Sequence, residues 1–306
     1  MSIERILVGI DTLERSGPAV QAGWALACAL DARLEVIHAT PIPTPLWPEI
    51  DAMQLAALNG EALSQAWTTL SAGLAPILEK MGASRQPIED VLHVLPGHPC
   101  KVLLDRANQT SADLLVIGPH KRRGLLDFGS TARGLLSQTP CSVWVQSGEY
   151  RPVRSLLVPI DLSEGSLSAL KMAIRIAVHL GARVETLYCF DAPEFSWGGV
   201  PGYPDAGPAY LRDDSRSAVQ QEYERVLAGV DWKGVEHTSS FVEGAPTTQI
   251  LELSSGHDLI ALGTHGRTGF AAAVLGSVAY SVLKHSQIPV LAIRHPERVW
   301  MIDGAG

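Results

Sequence analysis

Two hydrophobic patterns alternate along the chain, and each predicts a different element. Short runs rich in β-branched residues, such as residues 6–10 and 156–160, are typical of buried strands. Between such runs lie longer stretches, such as residues 169–180, whose apolar residues recur every three or four positions and form one helical stripe. Strands that alternate with helices predict an α/β fold, with a parallel sheet covered by helices on both faces.

The same pattern occurs twice along the chain. Residues 6–11 match residues 156–161 at an offset of 161 − 11 = 150. Residues 113–118 match residues 258–263 at an offset of 258 − 113 = 145. Several matching segments in the same order indicate a duplication, joined near residues 147–153.

The duplication predicts two tandem doubly wound parallel-sheet domains, residues 1–148 and 152–297, followed by a tail of residues 298–306. Their last strands, residues 143–145 and 290–293, would be edge strands, and an unpaired strand edge promotes aggregation. We therefore expect the two domains to pack through these strands as an intramolecular pseudo-dimer. A homodimer of two chains is left open.

Further elements are predicted in both halves. Strands are expected at 34–39, 91–95, 114–117, 184–190 and 238–242, and long helices at 50–81 and 210–228. The Pro/Gly-rich stretch 193–208 is interpreted as a long loop.

Composition narrows the class of protein. The chain has 306 residues, 46% hydrophobic and 18% charged, which suits two globular domains at roughly 150 residues each. The net charge of −8 argues against a nucleic-acid partner and means that an anionic ligand needs a local binding device. Four cysteines without a CxxC pair suit neither a zinc site nor a disulfide framework. No secretory signal or membrane-length apolar stretch is visible, so a cytoplasmic protein without membrane contact is expected.

Ligands of open α/β sheets bind beyond the carboxyl ends of the strands. Pro159, Ile160 and Asp161 lie at such an end in the second half, where a carboxylate can accept hydrogen bonds from ribose hydroxyls or a base amine. The alternative is that Asp161 or Ser163 caps the following helix.

A glycine-rich loop follows the strand ending near residue 262. Gly263, Gly266, Gly269 and Gly276 lie between this strand and a predicted helix that opens at Gly276-Ser277. Glycines allow close backbone approach, and a helix start offers unpaired N–H groups and partial positive charge to a phosphate. The alternative is that these glycines only form turns.

The spacing Gly263-x2-Gly266-x9-Gly276-Ser277 resembles the G-x2-G-x9-G-(S/T) signature of ATP-binding universal stress proteins. The resemblance extends over nearly the whole chain, once in each half. It implies a bacterial tandem universal stress protein of the UspA family, with an adenine nucleotide alpha hydrolase-like fold. It further implies a stress-response regulator that binds ATP or another adenine nucleotide, with or without Mg²⁺, and hydrolyses it slowly if at all.

The resemblance also implies which residues contact the nucleotide. The first-strand end would line the nucleoside, the backbone of Cys189 would face adenine, and the glycine loop and helix start would hold the phosphates. The implied set is Pro159, Ile160, Asp161, Cys189, Gly263, His265, Gly266, Arg267, Gly276, Ser277 and Val278. The resemblance implies no catalytic residue, and the sequence identifies no metal ligand.

The first half departs from the signature. Lys121 replaces the second glycine, and Gly124 to Gly129 spans 5 residues where Gly269 to Gly276 spans 7. We expect little or no ATP binding there, which makes this half a structural partner. The basic run 121–123 leaves open a different anion.

Two other functions stay in competition with a nucleotide-dependent regulator. One is a slow ATPase or nucleotidyl-transfer enzyme. Such an enzyme needs a general base and metal ligands near the γ-phosphate, and Asp161 and His265 are the candidates for these roles. The other is an interaction module without ligand, with unknown protein partners. The chain has no Walker A loop, no strand-one G-x-G-x-x-G and no G-x-S-x-G elbow, which argues against P-loop ATPases, NAD enzymes and α/β-hydrolases. The phosphate loop alone does not separate ATP from AMP or a cyclic nucleotide.

Overall fold

A computed structural model describes residues 3–41, 52–82, 87–118, 130–191, 209–264 and 275–294. Each half repeats one order of strands and helices. The first half contains β1 (Arg5–Ile10), α1 (Leu13–Leu30), β2 (Arg33–Thr40), α2 (Ala52–Lys80), α3 (Ile88–Val91), β3 (Leu92–Pro96), α4 (Pro99–Thr110), β4 (Leu114–Ile117), α5 (Ser130–Gln138) and β5 (Ser142–Val145). The second half contains β6 (Ser155–Pro159), α6 (Glu164–Leu180), β7 (Arg183–Phe190), α7 (Ala209–Ala228), β8 (His237–Glu243), α8 (Pro246–Ser254), β9 (Leu259–Gly263), α9 (Ser277–His285) and β10 (Val290–Ile293).

The ten strands form one continuous sheet in the order β3-β2-β1-β4-β5-β10-β9-β6-β7-β8. All pairs within each half are parallel. The halves join where β10 pairs antiparallel with β5, with Leu291 opposite Trp144. The two predicted edge strands therefore cover each other, and the sheet edges are β3 and β8 instead.

Helices cover both faces of this sheet, as the alternating pattern predicts. One hydrophobic cluster joins the sheet to α1, α2, α6 and α7, and a second cluster joins the opposite face to α4, α5, α8 and α9. The stripe predicted at residues 169–180 buries Ala169, Ala173, Ile176 and Ala177 in the first of these clusters. No helix in the described ranges is long and apolar enough to cross a membrane.

One aspartate in each half anchors the start of the first strand. The carboxylate of Asp113 accepts the backbone N–H groups of Glu4 and Arg5, at 2.8 and 3.0 Å. Asp258 accepts the N–H groups of Arg154 and Ser155, at 2.9 and 3.0 Å. This shared contact accounts for the aspartate that precedes both central strands in the repeated sequence.

The predicted boundaries agree with the structure to within a few residues. The differences include the single turn α3, which follows Pro87 and contains Val91, a residue predicted to begin the third strand. Pro87 is the N-cap residue of this turn, and a helix of four residues is too short to produce a periodic pattern in the sequence. The strand predicted at residues 156–160 ends one residue earlier, at Pro159, although the N–H of Ile160 still donates to the carbonyl of Leu187.

Candidate functional site

A cavity of about 520 Å³ lies beyond the carboxyl ends of β6, β7 and β9, in the second half. A ligand was expected from the sequence at these carboxyl ends of the strands. Eight of the predicted residues line the cavity: Pro159, Ile160, Asp161, Cys189, Gly263, Gly276, Ser277 and Val278. Strand ends that are far apart in sequence thus meet around one space.

Asp161 forms the turn between β6 and α6. Its Oδ1 accepts the backbone N–H of Ser163 at 3.0 Å and the Ser163 hydroxyl at 2.5 Å. The intervening residue, Leu162, adopts the left-handed region with φ of 65°. The carboxylate thus organises a tight turn while also lining the cavity.

Ser163 is the N-cap of α6, as one of the sequence alternatives predicted. Its side-chain oxygen accepts the N–H of Ser166 at 3.2 Å. The Ser166 hydroxyl in turn accepts the backbone N–H of Asp161 at 3.3 Å. In the first half the Ser16 hydroxyl likewise accepts the N–H of Asp11 at 3.1 Å, so this contact is common to both halves, whereas the left-handed residue is not, since Thr12 has a φ of −119°.

Cys189 lies on the cavity wall near the end of β7. Leu187, two residues earlier, uses its carbonyl to accept the N–H of Ile160, the last such contact toward β6. Alternate residues of a strand direct their peptide groups to the same side, so the peptide N–H and C=O of Cys189 face the same edge, past the end of β6. Burial, followed by the nearby charge of Asp191, raises the pKa of the Cys189 thiol to about 11.

The start of α9 forms another wall of the cavity. Gly276 is the N-cap, with an extended backbone, and its carbonyl accepts the first helical hydrogen bond, from Tyr280 at 2.8 Å. Ser277, Val278 and Ala279 occupy the first turn, where backbone N–H groups have no carbonyl within their own helix. All three line the cavity, so this end of the helix presents donors and partial positive charge to it.

Gly263 has a packing role beside the cavity. A Cβ atom at this position would lie 2.9 Å from the backbone carbonyl group of Gly165 in α6. The glycine is therefore required for β9 to pass close to the start of α6. From the sequence, Gly263 was expected either to approach a phosphate or to form a turn, and this packing role was not foreseen.

Several predicted features lie outside the described residues. Among the implied ligands these are His265, Gly266 and Arg267. The first-half basic run 121–123 and shortened loop, the stretch 193–208 and the tail 298–306 also lie outside them. These interpretations stay predictions.

Sequence reasoning missed part of the cavity wall. The missed residues belong to strand ends and to helices that cover them: Ser166, Leu187, Tyr188, Phe190, Asp191, Ser215, Val219, Pro246, Ile250, Leu262, Thr264 and Ala279. The neighbours of Cys189 on β7 could have been found from the strand-end rule. Val219 and Ile250 carry no local signal, because their place depends on how α7 and α8 cross the sheet.

The charged side chains on the described part of the cavity wall are Asp161 and Asp191. The described residues contain no group of three or more His, Cys, Asp and Glu side chains arranged to hold a metal ion. Local positive potential on this part of the wall therefore comes from the α9 terminus.

Comparison with known proteins agrees with this architecture. The model of the universal stress protein family matches residues 2–146 and again residues 152–294. The chain belongs to the universal stress protein family. It has two tandem universal stress protein domains, each built on the mostly parallel α/β sheet described above.

Relatives of this family match either one domain or the whole chain. A universal stress protein of Methanocaldococcus jannaschii is 31% identical over 147 residues, covering 47% of this chain and 84% of the relative. A universal stress protein of Mycobacterium tuberculosis is 26% identical and covers 94% of this chain and 96% of its own length. The crystal structure of a universal stress protein from Archaeoglobus fulgidus has a TM-score of 0.61 and 17% identity, covering 97% of this chain and 98% of that one. The last similarity concerns the fold.

Proposed function

We propose that this universal stress protein binds an adenine nucleotide, with ATP as the first choice, in its second domain and acts as a nucleotide-dependent stress-response regulator. The observation that carries the proposal is the cavity that brings the β6 end, the Cys189 edge and the α9 start together. We place the binding domain at residues 152–297, its structural partner at residues 1–148, and the protein in the cytoplasm.

The β7 edge suits the adenine base. Adenine presents a donor, its amino group, next to an acceptor, the N1 atom. The Cys189 peptide offers the complementary C=O and N–H on the edge that extends past β6. Ile160, Leu187 and Ile250 supply an apolar wall, which favours a flat aromatic ring over a hydrated ligand.

The α9 start suits the phosphates. Its first-turn N–H groups at Ser277, Val278 and Ala279 point out of the helix end, where the helix dipole favours an anion. The Ser277 hydroxyl adds another donor. The glycine-loop residues His265, Gly266 and Arg267 complete the proposed phosphate contacts.

Asp161 suits the ribose, because its carboxylate can accept hydrogen bonds from sugar hydroxyls. Mg²⁺ bound with the nucleotide would reduce the repulsion between the phosphates and the carboxylates of Asp161 and Asp191. ATP supplies the triphosphate charge that such an ion would offset.

The proposed role is regulatory, because binding without rapid turnover lets occupancy report the nucleotide level. The first domain would contribute structure, since its predicted phosphate loop carries Lys121 and is two residues shorter. We therefore expect one nucleotide per chain. The first and second domains would act together as a pseudo-dimer through β5 and β10.

Nucleotide content and calorimetry test this function. The protein is purified without added nucleotide and denatured, any released nucleotide is identified by mass, and ATP is then titrated into the emptied protein. Wild type is compared with Gly276→Glu, which places a carboxylate at the α9 start. The matched control is Gly256→Glu. Gly256 is exposed and lies between α8 and β9, just before the start of β9 and so at the opposite end of the strands from the cavity.

We expect one ATP per chain in wild type and in Gly256→Glu, no binding in Gly276→Glu, and almost no phosphate release. Wild-type protein that neither carries nor binds adenine nucleotide would contradict the proposal. Rapid phosphate release, abolished by Asp161→Ala with binding retained, would favour the enzyme alternative instead.

A further inference from the structure

A chain of hydrogen bonds connects the cavity to the first domain. It begins at Gly276, the N-cap of α9, whose N–H donates to the carbonyl of Thr264 at 2.8 Å. Thr264 lines the cavity and is buried. Its position therefore fixes where the first turn of α9 stands.

Thr264 is held in turn by the end of β10. Its backbone N–H and its hydroxyl both donate to the carbonyl of Ile293, at 3.1 and 3.4 Å. Ile293 is buried and is the last residue of β10. Two donors on one carbonyl tie the start of the glycine loop to the strand that joins the domains.

The next residue, Arg294, reaches across the domain boundary. Its N–H donates to the hydroxyl of Ser142 at 3.4 Å, and its guanidinium donates to the carbonyl of Thr139. Both acceptors belong to the first domain, at the link between α5 and β5, and both residues are buried. Burial lowers the pKa of Arg294 below its ordinary value, in keeping with a cation held inside this boundary.

We propose that Arg294 is a positioning residue for the nucleotide site, and that the site of the second domain is complete only when Thr139 and Ser142 of the first domain hold it. The inference rests on the proposed function. Arg294 fixes the β10 end, which fixes Thr264, which fixes the α9 start. A phosphate site built from backbone donors loses affinity when those donors shift, because they must already stand in the bound geometry.

The same contacts imply a reciprocal effect. If the domain boundary strengthens nucleotide binding, nucleotide must strengthen the domain boundary by the same free energy. Occupancy of the second domain would thus stabilise the α5–β5 link of the first domain. Nucleotide binding in the second domain would thus change the stability of the first domain, although the first domain's own loop departs from the phosphate-binding signature.

Affinity measurements on the full chain test the first half of the inference. We expect Arg294→Met to weaken ATP binding about tenfold, the effect of losing one charge-assisted hydrogen bond. Arg294→Lys, which keeps the charge and a donor, should recover part of the loss. Ser142→Ala should weaken binding a few-fold although it does not line the cavity. Ser137→Ala is the matched control, since that hydroxyl donates to carbonyls of its own helix, and it should bind as wild type does.

Hydrogen exchange tests the reciprocal half. ATP should slow exchange in peptides covering residues 139–146 of wild type, and slow it less in Arg294→Met at saturating ATP. A merely structural Arg294 would lower the melting temperature without changing the ATP Kd or the exchange response. Wild-type affinity in both Arg294→Met and Ser142→Ala overturns the inference, as does ATP binding without any change at 139–146.

The two levels of failure are distinguishable. Absence of ATP binding in wild type refutes the proposed function and, with it, this inference. Binding in wild type with an unchanged Kd in the boundary variants refutes the inference alone. If Arg294→Met does not fold, Arg294→Lys and Ser142→Ala decide the matter by the same Kd comparison.

Discussion

The backbone carbonyl group of Gly165 lies 2.9 Å from the position that a Cβ atom on Gly263 would occupy. Real Cβ atoms essentially never approach other atoms so closely, and backbone atoms cannot swing away as the end of a flexible side chain can. The contact places the end of β9 directly against the start of α6. It therefore gives the first glycine of the predicted phosphate loop a role in folding.

Gly263→Ala should destabilise the protein. The added methyl must displace either β9 or the first turn of α6, and overpacking of this kind costs typically about 1–3 kcal/mol. The unfolding free energy, measured by urea denaturation, reports the effect. An unchanged free energy of unfolding would mean that α6 shifts aside without cost.

The repeat offers a matched control at Gly118. The same substitution there places a Cβ 3.5 Å from the carbonyl oxygen of Arg15, an ordinary contact. We expect Gly118→Ala to change the unfolding free energy by well under about 1 kcal/mol. Because Gly263→Ala affects the fold, loss of ATP binding in that variant alone would say nothing about phosphate contacts.

Much of the fold was predictable because the same pattern of strands and helices occurs in both halves of the sequence. Apolar runs near residues 6 and 156 and the stripe at 169–180 identify strands and helices by period alone. Pairing of β5 with β10 was predictable from the liability of two exposed edges. The turn α3 was missed, because four residues are too few to show a helical period.

The site was predictable only in part, because some of its residues meet only through the packing of elements that are distant in sequence. Asp161, just past the end of β6, follows from the rule that ligands bind beyond the carboxyl ends of the strands, and Gly276 follows from the glycine loop that leads into a predicted helix start. Val219 was not predictable, because the angle at which α7 crosses the sheet has no local signature. The packing demand on Gly263 was also hidden, since it depends on Gly165, which is 98 residues away (263 − 165) and comes close only in the folded chain.

Asp258 should contribute more to stability than its repeat counterpart. Its carboxylate accepts two backbone N–H groups and also the hydroxyl of Ser155 at 2.9 Å. Loss of such contacts leaves the donors at the start of β6 unpaired, at a cost of about 1–3 kcal/mol. Asp258→Ala should therefore lower the unfolding free energy by an amount in that range in chemical denaturation, mainly through the buried Ser155 donors, since the exposed Arg154 N–H can bond water instead.

Asp113→Ala is the comparison for this prediction, because Asp113 accepts two backbone N–H groups at the equivalent position. It should cost less than Asp258→Ala, and Ser155→Ala alone should account for roughly 1 kcal/mol of the difference. If Asp113→Ala is the more damaging substitution, the hydroxyl contact is not the reason for the second aspartate's importance.

His93 should make stability fall in mild acid. It lies beside buried Glu35, with 3.9 Å between its Nε2 and Glu35 Oε2, while Arg106 contacts the same oxygen at 2.7 Å. Burial, above all, holds the pKa of His93 below its usual 6.5, so the unfolded chain takes up a proton first as pH falls. The unfolding free energy should therefore decrease as pH falls through 6.5 and level off below the folded-state pKa.

His93→Gln should remove this component of the pH dependence while leaving the rest of the acid profile. Arg106→Leu should also reduce this component of the pH dependence. It removes a cation that lowers the pKa of His93 and leaves Glu35 to raise it, so protonation of His93 becomes less unfavourable. Urea denaturation between pH 5 and pH 8 measures both. Identical slopes in wild type and His93→Gln would exclude His93 as the cause.

Cys189 offers a chemical probe of the cavity. Its pKa of about 11, against the ordinary 9.0, leaves about a hundredfold less thiolate near pH 7 than a normal cysteine has. Alkylation by iodoacetamide should be slow at neutral pH and accelerate about tenfold per pH unit until pH approaches 11. Cys28, exposed on α1, should react first, as peptide mass spectrometry would show.

Bound ATP should slow alkylation of Cys189 and leave that of Cys28 unchanged, because only Cys189 lines the proposed base site. Gly276→Glu gives the decisive control: if this substitution prevents ATP binding, ATP should no longer protect Cys189, although the thiol and its surroundings on β7 are intact. Equal alkylation of Cys189 with and without ATP, in wild-type protein shown by calorimetry to be saturated, would place the nucleotide elsewhere. Protection that persists in Gly276→Glu would separate base binding at β7 from phosphate binding at α9.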